Sequence, residues 1–399
     1  MDSGRISGRR ARRARVGAAA SFLLTGFVSA SWASRVPAIK DGLGLGDGRF
    51  AIALLGLEAG AVFGLQLGGL VVPRTGSRRA LLASLVAFSG ALVLPSVATS
   101  LSLLAAGLFL FAALNSVADV AMNAQGVIVQ RFVGRPVLSG MHAMHSLGGV
   151  LGAGAGALAA RIGYAPPAQF LTCGVVAAVA GLAAAPLLLP SRVDAEVKPS
   201  EGGTGSGMVE GLRRWFGGWS APLVLLGILA FCFALGEGAG LNWSAVYLAD
   251  SLGGTEALGA IGLGVFLGAV TLGRLAGDHL ISRFGPVVVF RTGALVAGTG
   301  FGVALLLGTP MASLVGLGLL GAGIANALPL AIAAGGNSPG ETPATAAARV
   351  STLGYLGSFI GPVLVGGLAS LTGLPLALAL PVLLVLATAF GAGAVRRAG

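Results

Sequence analysis

The chain has 399 residues, of which 55% are hydrophobic and 10% are charged, and its formal net charge is +11. Soluble domains carry roughly 25% charged residues because a surface in water needs them, so this composition excludes an ordinary soluble globular protein. A helix that crosses the hydrocarbon core takes about 20 residues, so the length leaves room for about ten to twelve membrane spans.

The positive charge has the distribution of a membrane protein. Six of the 25 basic residues precede the first apolar run, and most of the others separate later runs without aromatic residues between them. This pattern predicts membrane topology and no nucleic-acid partner. Cys173 and Cys232 lie inside apolar stretches without metal-ligand spacing, so we expect small buried thiols, no metal site and no cofactor.

Apolar runs bounded by charged residues predict twelve membrane helices. The first six runs lie near 16–36, 50–72, 80–98, 102–130, 138–160 and 168–189. The second six lie near 221–248, 258–280, 287–307, 312–334, 346–370 and 375–395. The predicted fold class is an all-α polytopic membrane protein with about twelve transmembrane helices in two six-helix halves.

These runs divide the chain into five predicted segments. They are a basic cytoplasmic N-terminal tail (1–15), an N-terminal six-helix half (16–189), a central cytoplasmic linker (190–219), a C-terminal six-helix half (220–395) and a cytoplasmic C-terminus (396–399). The end of the linker, 208–219, combines arginines with tryptophans and suits a short helix at the lipid headgroups.

The distribution of lysine and arginine predicts the orientation. Twelve spans place both termini on one side of the membrane, and that side then carries 20 basic residues. The opposite side then keeps four, which are Arg35, Lys40, Arg49 and Arg161. The positive-inside rule therefore favours cytoplasmic termini.

The first span has a polar face. Its members are Ser21, Thr25, Ser29 and Trp32, at spacings of four, four and three residues. This face is predicted to line a cavity, with the alternative that the hydroxyls only bind their own backbone. The run also exceeds the about 7–15 apolar residues of a signal peptide, so we expect no cleavage.

Acidic residues within spans are candidate functional groups, because an aspartate at mid-bilayer costs about 3 kcal/mol on insertion scales. Asp119 lies twelve residues before Arg131, which places it about 18 Å deep. Asn115 and Asn123 share its helix face. We predict that this stripe lines a cavity, and the alternative is that it only joins neighbouring helices.

Glu58 lies eight residues into the second span. It is a candidate proton carrier, or else a glutamate near the outer end that pairs with Arg35 or Arg49. These two interpretations stay open.

Glu237 lies midway along the seventh span among three glycines and is predicted to belong to a site. Asn242 and Trp243, one turn farther out, are candidate substrate contacts. Acidic groups at Asp119, Glu237 and Glu58 are thus the candidates for proton coupling.

His142 and His145 lie one turn apart in the fifth span. Histidine can relay protons near neutral pH, but no third ligand suggests a metal site. We expect hydrogen bonds to the face that carries Asn123. The glycines that continue this face are predicted to be a packing seam.

The two halves match at a constant offset of 209 residues, as in a parallel internal repeat. The matching pairs are Gly68 and Gly277, Arg74 and Arg283, Gly76 and Gly285, Gly148 and Gly357, and Gly152 and Gly361. A six-plus-six repeat is the interpretation.

Two loops carry a family resemblance. The segment 69–79 reads GLVVPRTGSRR, and the segment 277–285 reads GDHLISRFG. They resemble the Gly-x-x-x-Asp-Arg-x-Gly-Arg-Arg loop of the major facilitator superfamily, with Pro73 at the acidic position of the first loop. The resemblance implies conformational-latch loops whose candidate residues are Arg74, Gly76, Arg78, Asp278, Arg283 and Gly285. It also implies that any charged latch is better preserved in the second loop.

Segments at 32–37, 119–123, 142–149 and 237–248 resemble a poorly characterised bacterial inner-membrane branch of that superfamily, loosely related to fucose/proton symporters. The resemblance implies a central cavity lined by the first, fourth, seventh and tenth helices, where the tenth offers Asn326. Asn242 stands where an aspartate is expected, which bears on proton coupling.

No nucleotide-binding loop or catalytic constellation is present in the sequence, so an ATP-driven pump or an enzyme is not predicted. The first hypothesis is a secondary active transporter that works by alternating access and couples protons to a small polar, sugar-like solute. The alternative is a proton-driven exporter of drugs or metabolites. A third class, a receptor or scaffold on this fold, would bind a ligand without flux. The expected partners are a small-molecule substrate, protons and the lipid bilayer.

Overall fold

The computed structural model describes residues 8–45, 47–191, 193, 219–254, 256–338 and 342–398. Residues 1–7, most of the predicted linker and the short helix predicted at its end lie outside the described residues. In a bilayer, a helix satisfies its backbone groups within one segment, so long apolar runs fold as helices. The regular structure within the described ranges is accordingly all helical.

The helices before the linker are α1 (Gly8–Ala33), α2 (Val36–Gly42), α3 (Asp47–Thr75), α4 (Ser77–Ala91), α5 (Leu94–Val97), α6 (Leu101–Val133), α7 (Leu138–Arg161) and α8 (Pro166–Ala184). The helices after it are α9 (Ala221–Val246), α10 (Glu256–Phe284), α11 (Pro286–Leu307), α12 (Pro310–Ile324), α13 (Ala327–Gly336), α14 (Pro343–Thr372), α15 (Leu374–Ala377) and α16 (Ala379–Thr388). Eleven helical segments of the described chain are long and apolar enough to span a membrane, or twelve with a bent pair near the C-terminus. This confirms the predicted fold class.

The first helix begins at Gly8, eight residues before the predicted start of the first span. Arginine and alanine are both good helix formers, and no proline interrupts residues 8–16. The basic segment therefore continues the helix beyond its apolar part and is not an irregular tail where it is described.

The predicted span 312–334 is two helices, α12 and α13, separated at Ala325 and Asn326. Pro329 lies four residues after Ala325 and has no N–H, so the Ala325 carbonyl cannot receive its helical hydrogen bond. The last predicted span, 375–395, is also interrupted, and Leu374–Thr388 and Ala392–Ala398 are bent by 60°.

The chain forms two compact units. The first comprises the described residues within Met1–Val137, Met141–Gly217 and Gly340–Ala348, and the second those within Leu138–Gly140, Gly218–Pro339 and Arg349–Gly399.

In the first unit, glycines let helices approach closely, as is common in membranes. Gly56, Gly60 and Gly64 of α3 face the backbone of α6, where a Cβ would collide with a carbonyl oxygen. Gly148 of α7 faces Leu23 of α1 in the same way. In the second unit, Gly357 of α14 faces the carbonyl of Phe231 of α9.

Helix boundaries recur at the 209-residue offset. Helix α10 begins and ends 209 residues after α3, and α12 begins 209 residues after α6. Gly76 and Gly285 precede the next helices with φ values of 85° and 82°, which favour glycine. Ser100 and Thr309, also 209 apart, each cap the helix that follows with a side-chain oxygen. The turns of the two halves are therefore built alike.

Candidate functional site

A buried polar cluster lies in the first unit and joins α6 to α7. Asn123 Nδ2 donates to Asp119 Oδ1 at 3.0 Å and to the Asp119 carbonyl at 2.9 Å. Asn123 Oδ1 lies 3.1 Å from His142 Nε2. Because Asn123 Nδ2 donates to Asp119, Asn123 Oδ1 is the atom that faces His142, and it can only accept. The hydrogen is therefore assigned to His142 Nε2. This is the contact predicted between the histidine pair and the face of Asn123.

The second histidine joins α7 to α1. His145 Nδ1 lies 3.2 Å from Thr25 Oγ1, which also lies 2.9 Å from the Phe22 carbonyl. The Phe22 ring packs edge-on against His142 with centroids 4.9 Å apart. Asn123 is fully buried and Asp119 is 9% exposed, so three helices enclose these polar groups in apolar surroundings. The term N-cluster is used below for Thr25, Asp119, Asn123, His142 and His145.

The remaining predicted residues of the first half are not members of the N-cluster. Ser21 donates to the Gly17 carbonyl of its own helix at 3.1 Å, which was the alternative for these hydroxyls. Ser29 and Asn115 are half-buried. Trp32 packs between Phe111 and Phe170 in the apolar core, so its indole contacts apolar rings and not the polar side chains.

Glu58 is half-buried on α3. Arg35, one of its two suggested partners, instead donates to Gln169 Oε1 at 2.8 Å and to the Tyr164 carbonyl at 3.1 Å. Within the described residues, Glu58 has no ion pair.

A half-buried ion pair marks the second unit. Arg274 of α10 donates to Glu237 Oε1 of α9 at 3.1 Å, and their side chains are 14% and 31% exposed. Arg274 Nε also donates to the Ala325 carbonyl at 3.3 Å, the group left open by Pro329. Asn326 Nδ2 donates to the Gly273 carbonyl at 3.0 Å. The helix break thus fixes the arginine that faces Glu237.

A cavity of about 90 Å³ adjoins this ion pair. Its lining residues are Ala230, Phe233, Ala234, Glu237, Arg274, Ile324, Leu328, Ser351, Gly354, Tyr355 and Ser358. The term C-cavity is used for it below. It offers a carboxylate, a guanidinium, hydroxyl groups and two aromatic rings, a set that can hydrogen-bond and stack on a small polar molecule.

Three predicted contacts of the second half lie outside the lining of the C-cavity. Asn242 donates to the Gly238 carbonyl of its own helix at 2.8 Å. The Trp243 ring packs over Gly366. Asn326 lies at the break between α12 and α13, and its side chain donates to the Gly273 carbonyl.

Sequence reasoning missed the role of Arg274 and Tyr355. Arg274 is a basic residue inside a predicted span, and such a charge needs a partner of opposite sign. That signal called for an acidic partner but did not identify which one. Tyr355 has no comparable signal, because only the rotation of α14 turns its side chain toward the cavity.

The family follows from comparison with known proteins. The family model of the Major Facilitator Superfamily matches residues 17–362 of this chain. An uncharacterized MFS-type transporter of Yersinia pestis is 32% identical over 94% of this chain and 94% of its own length. The chain belongs to the Major Facilitator Superfamily.

Two solved structures of this superfamily share the fold. The first is FucP, described as the fucose:proton symporter of E. coli, with a TM-score of 0.79, 17% identity, and coverage of 95% of this chain and 97% of that chain. The second is the proton:xylose symporter XylE, with a TM-score of 0.69, 12% identity, and coverage of 96% and 95%. The protein is therefore a multi-pass MFS transporter of small molecules, and such transporters are generally non-enzymatic carriers.

The predicted MFS loop residues differ between the units. In the second unit, Asp278 Oδ2 accepts a hydrogen bond from the Gly140 N–H at 3.0 Å. In the first unit, Pro73 lines a small apolar cavity with Pro343 and Ala344.

The remaining loop residues make local contacts where a contact is observed. Arg74 donates to the Leu70 carbonyl of its own helix at 2.8 Å. The Arg283 guanidinium lies over the Phe284 ring, and Arg78 is half-buried.

The described residues contain no group of three or more His, Cys, Asp or Glu side chains that could hold a metal ion. Cys173 and Cys232 are buried free thiols, as predicted.

Proposed function

We propose that this protein is a proton-coupled symporter that carries a small polar, sugar-like solute by alternating access. The solute binds in the C-cavity beside Glu237 and Arg274, and Asp119 carries the coupling proton. Both termini face the cytoplasm of a bacterial cell, a placement supported by the distribution of 20 basic residues against four.

The observation that carries this proposal is the Glu237–Arg274 ion pair at the wall of the C-cavity. An ion pair with net charge near zero does not favour a charged cargo, but it presents both donors and acceptors. Sugar hydroxyls both donate and accept, and aromatic rings bind the apolar faces of sugars. Ser351, Ser358 and Tyr355 add hydroxyl groups around the same space.

The N-cluster supports proton coupling. Asp119 is the carboxyl group at the centre of a long membrane helix, and intramembrane carboxyl groups in transporters commonly relay protons. Asn123 donates to Asp119 Oδ1 and accepts from His142. The side-chain amide of Asn123 therefore connects the charge state of Asp119 to a residue of α7. Glu237 is the second candidate carrier, because its protonation would weaken the bond to Arg274.

The two symporters that share the fold also support this proposal, since one is a fucose:proton symporter and the other a proton:xylose symporter. The exporter hypothesis finds less support. A lipophilic cation in the C-cavity would meet the guanidinium of Arg274 as well as the carboxylate of Glu237, so the ion pair offers it no net attraction.

Asp278 supplies the proposed conformational latch. Its carboxylate holds the N–H of Gly140 at the start of α7, and a charge-assisted bond of this kind can form in one state of the transport cycle and break in another. Arg74, Gly76, Arg78, Arg283 and Gly285 are the proposed supporting residues of the two loops.

The test uses purified protein in liposomes that contain a pH-sensitive dye, challenged with sugars, small acids and lipophilic cations. We expect internal acidification when a sugar-like solute is added outside. An Asp119→Asn, Glu237→Gln double variant should lose that signal. Thr299→Ala is the control, because this exposed hydroxyl donates to the Leu295 carbonyl of its own helix.

Normal proton-coupled uptake in the double variant would refute the coupling model. Proton release driven by a lipophilic cation, with no response to sugars or acids, would replace symport by the exporter hypothesis. Ligand binding without solute flux would indicate the receptor class.

A further inference from the structure

A second pocket lies in the first unit, at the end of α1 where the basic segment meets the apolar span. Its volume is about 730 Å³. Its lining residues are Gly8, Ala11, Arg12, Arg15, Val16, Ala19, Phe132, Val133 and Arg135. Nothing in the proposed transport mechanism uses this pocket.

The pocket has one basic part and one apolar part. Arg12 and Arg15 lie one turn apart on α1, and Arg135 follows the end of α6, so three guanidinium groups line the same space. Val16 and Ala19 continue the same face of α1 into the span, and Val16 is 59% exposed. The charged part therefore gives way to an apolar wall within about one helical turn.

This arrangement, with basic residues next to apolar ones, fits the boundary between lipid headgroups and hydrocarbon. Arginine heads lie at the level of the lipid headgroups while neighbouring apolar side chains face the hydrocarbon. Guanidinium groups bind phosphate oxygens with directed pairs of hydrogen bonds. Basic pockets at this level are suited to anionic headgroups, and an acyl chain can follow an adjoining apolar groove.

We propose that this pocket binds an anionic phospholipid. Its phosphate lies among Arg12, Arg15 and Arg135, and its acyl chain lies along Val16 and Ala19. The apolar wall is what favours a lipid over a water-soluble phosphate, since a free phosphate gains nothing from it. This inference does not rest on the proposed transport function.

The test measures lipid retention on the full-length protein in detergent by native mass spectrometry, with phosphatidylglycerol as probe and phosphatidylcholine as the lipid without net charge. An Arg12→Gln, Arg15→Gln, Arg135→Gln variant should bind phosphatidylglycerol at least about tenfold more weakly. The matched control is Arg9→Gln, Arg10→Gln, Arg13→Gln, which removes the same charge from exposed positions of α1. We expect the control to change binding by less than about threefold, because only general attraction is lost.

A third variant keeps every charge. Ala19→Trp fills the apolar part of the pocket at a half-buried position and should also weaken phosphatidylglycerol binding. The thermal unfolding midpoint of each variant, measured without added lipid, verifies folding.

Equal loss in both arginine triples would overturn the proposal, since attraction would then be a property of the whole surface. Equal binding of phosphatidylcholine, or no loss in Ala19→Trp, would overturn it too. Displacement of the lipid by millimolar inorganic phosphate would assign the pocket to a water-soluble anion instead.

Discussion

The N-cluster and the C-cavity occupy equivalent positions of the repeat and have opposite character. Seven lining residues of the C-cavity lie 209 residues after polar residues of the first half. The pairs are Ser21 and Ala230, Thr25 and Ala234, Asn115 and Ile324, Asp119 and Leu328, His142 and Ser351, His145 and Gly354, and Ser146 and Tyr355. At two positions the apolar residue is in the first half and the charged residue is in the second. Val28 and Leu65 are buried, and their equivalents are Glu237 and Arg274.

The difference agrees with the two roles proposed for these regions. Threonine, aspartate and two histidines fill the space between the helices of the first unit with hydrogen-bonded groups. Three of the four equivalent positions carry smaller residues, alanine, serine and glycine, which leave space open, and the fourth carries Leu328. A proton site needs enclosed polar contacts, whereas a solute site needs volume, and side-chain size decides between them.

The largest effect is expected from Arg274→Leu, which installs the residue type of the equivalent Leu65. It removes the guanidinium from the C-cavity and leaves Glu237 without its partner. We expect solute uptake in liposomes to fall about a hundredfold, as for the loss of roughly 3 kcal/mol of charge-assisted bonding. The free energy of unfolding should fall by about 1–3 kcal/mol, because both groups are partly exposed.

The control for this change is the double variant Glu237→Val, Arg274→Leu. Removing both charges should restore most of the unfolding free energy but none of the uptake. Wild-type uptake in Arg274→Leu would show that the C-cavity is not the solute site.

The next effect is expected from Asp119→Asn in the N-cluster. The amide keeps the shape of the side chain but cannot take up a proton. Proton-driven uptake should fall by about ten- to a hundredfold. Solute exchange at equal pH on both sides should persist, since it needs no net proton movement.

Ser21→Ala is the matched control, because the Ser21 hydroxyl binds the backbone of its own helix. If Asp119→Asn abolished exchange as strongly as proton-driven uptake, Asp119 would be needed for the solute step and the division of labour would be wrong.

A smaller effect is expected from Ser351→His, which places the residue type of His142 into the C-cavity. The larger ring occupies part of the solute volume, so the apparent KM of uptake should rise about tenfold, or roughly 1.4 kcal/mol. Ser370→His, on an exposed face of the same helix, is the control. An unchanged KM would place the solute away from Ser351.

The two units are expected to differ least in the effect of substitutions at equivalent glycines, one in each unit. Gly148→Val and Gly357→Val each insert atoms against the backbone of the facing helix. We expect each to lower the free energy of unfolding by about 1–3 kcal/mol. Gly154→Val and Gly367→Val serve as controls, because a Cβ there meets no atom within 4 Å. A loss in one unit only would contradict equivalent packing.

Much of the candidate site follows from local sequence. The polar stripe around Asp119 and Asn123 is visible because membrane spans rarely contain such residues. The hydrogen bond expected between the histidines and the face of Asn123 is present at His142. Trp32 shows the limit of the same argument. Its spacing placed it on the polar face of α1, but an indole gains more from Phe111 and Phe170 than from polar neighbours.

The sequence by itself determined the properties that depend on nearby residues along the chain. These are the number of spans, the 209-residue repeat with its glycine turns, and the presence of carboxyl groups within the membrane. Each follows from hydropathy or periodicity within a window of about one helix.

Only the tertiary structure decided which of these groups meet. Glu237 and Arg274 lie on different helices, and their contact depends on the rotation of each helix and on the carbonyl left open before Pro329. Lipid solvates every apolar face equally well, so hydropathy does not set that rotation. Close packing at small residues and the need to pair buried charges set it instead.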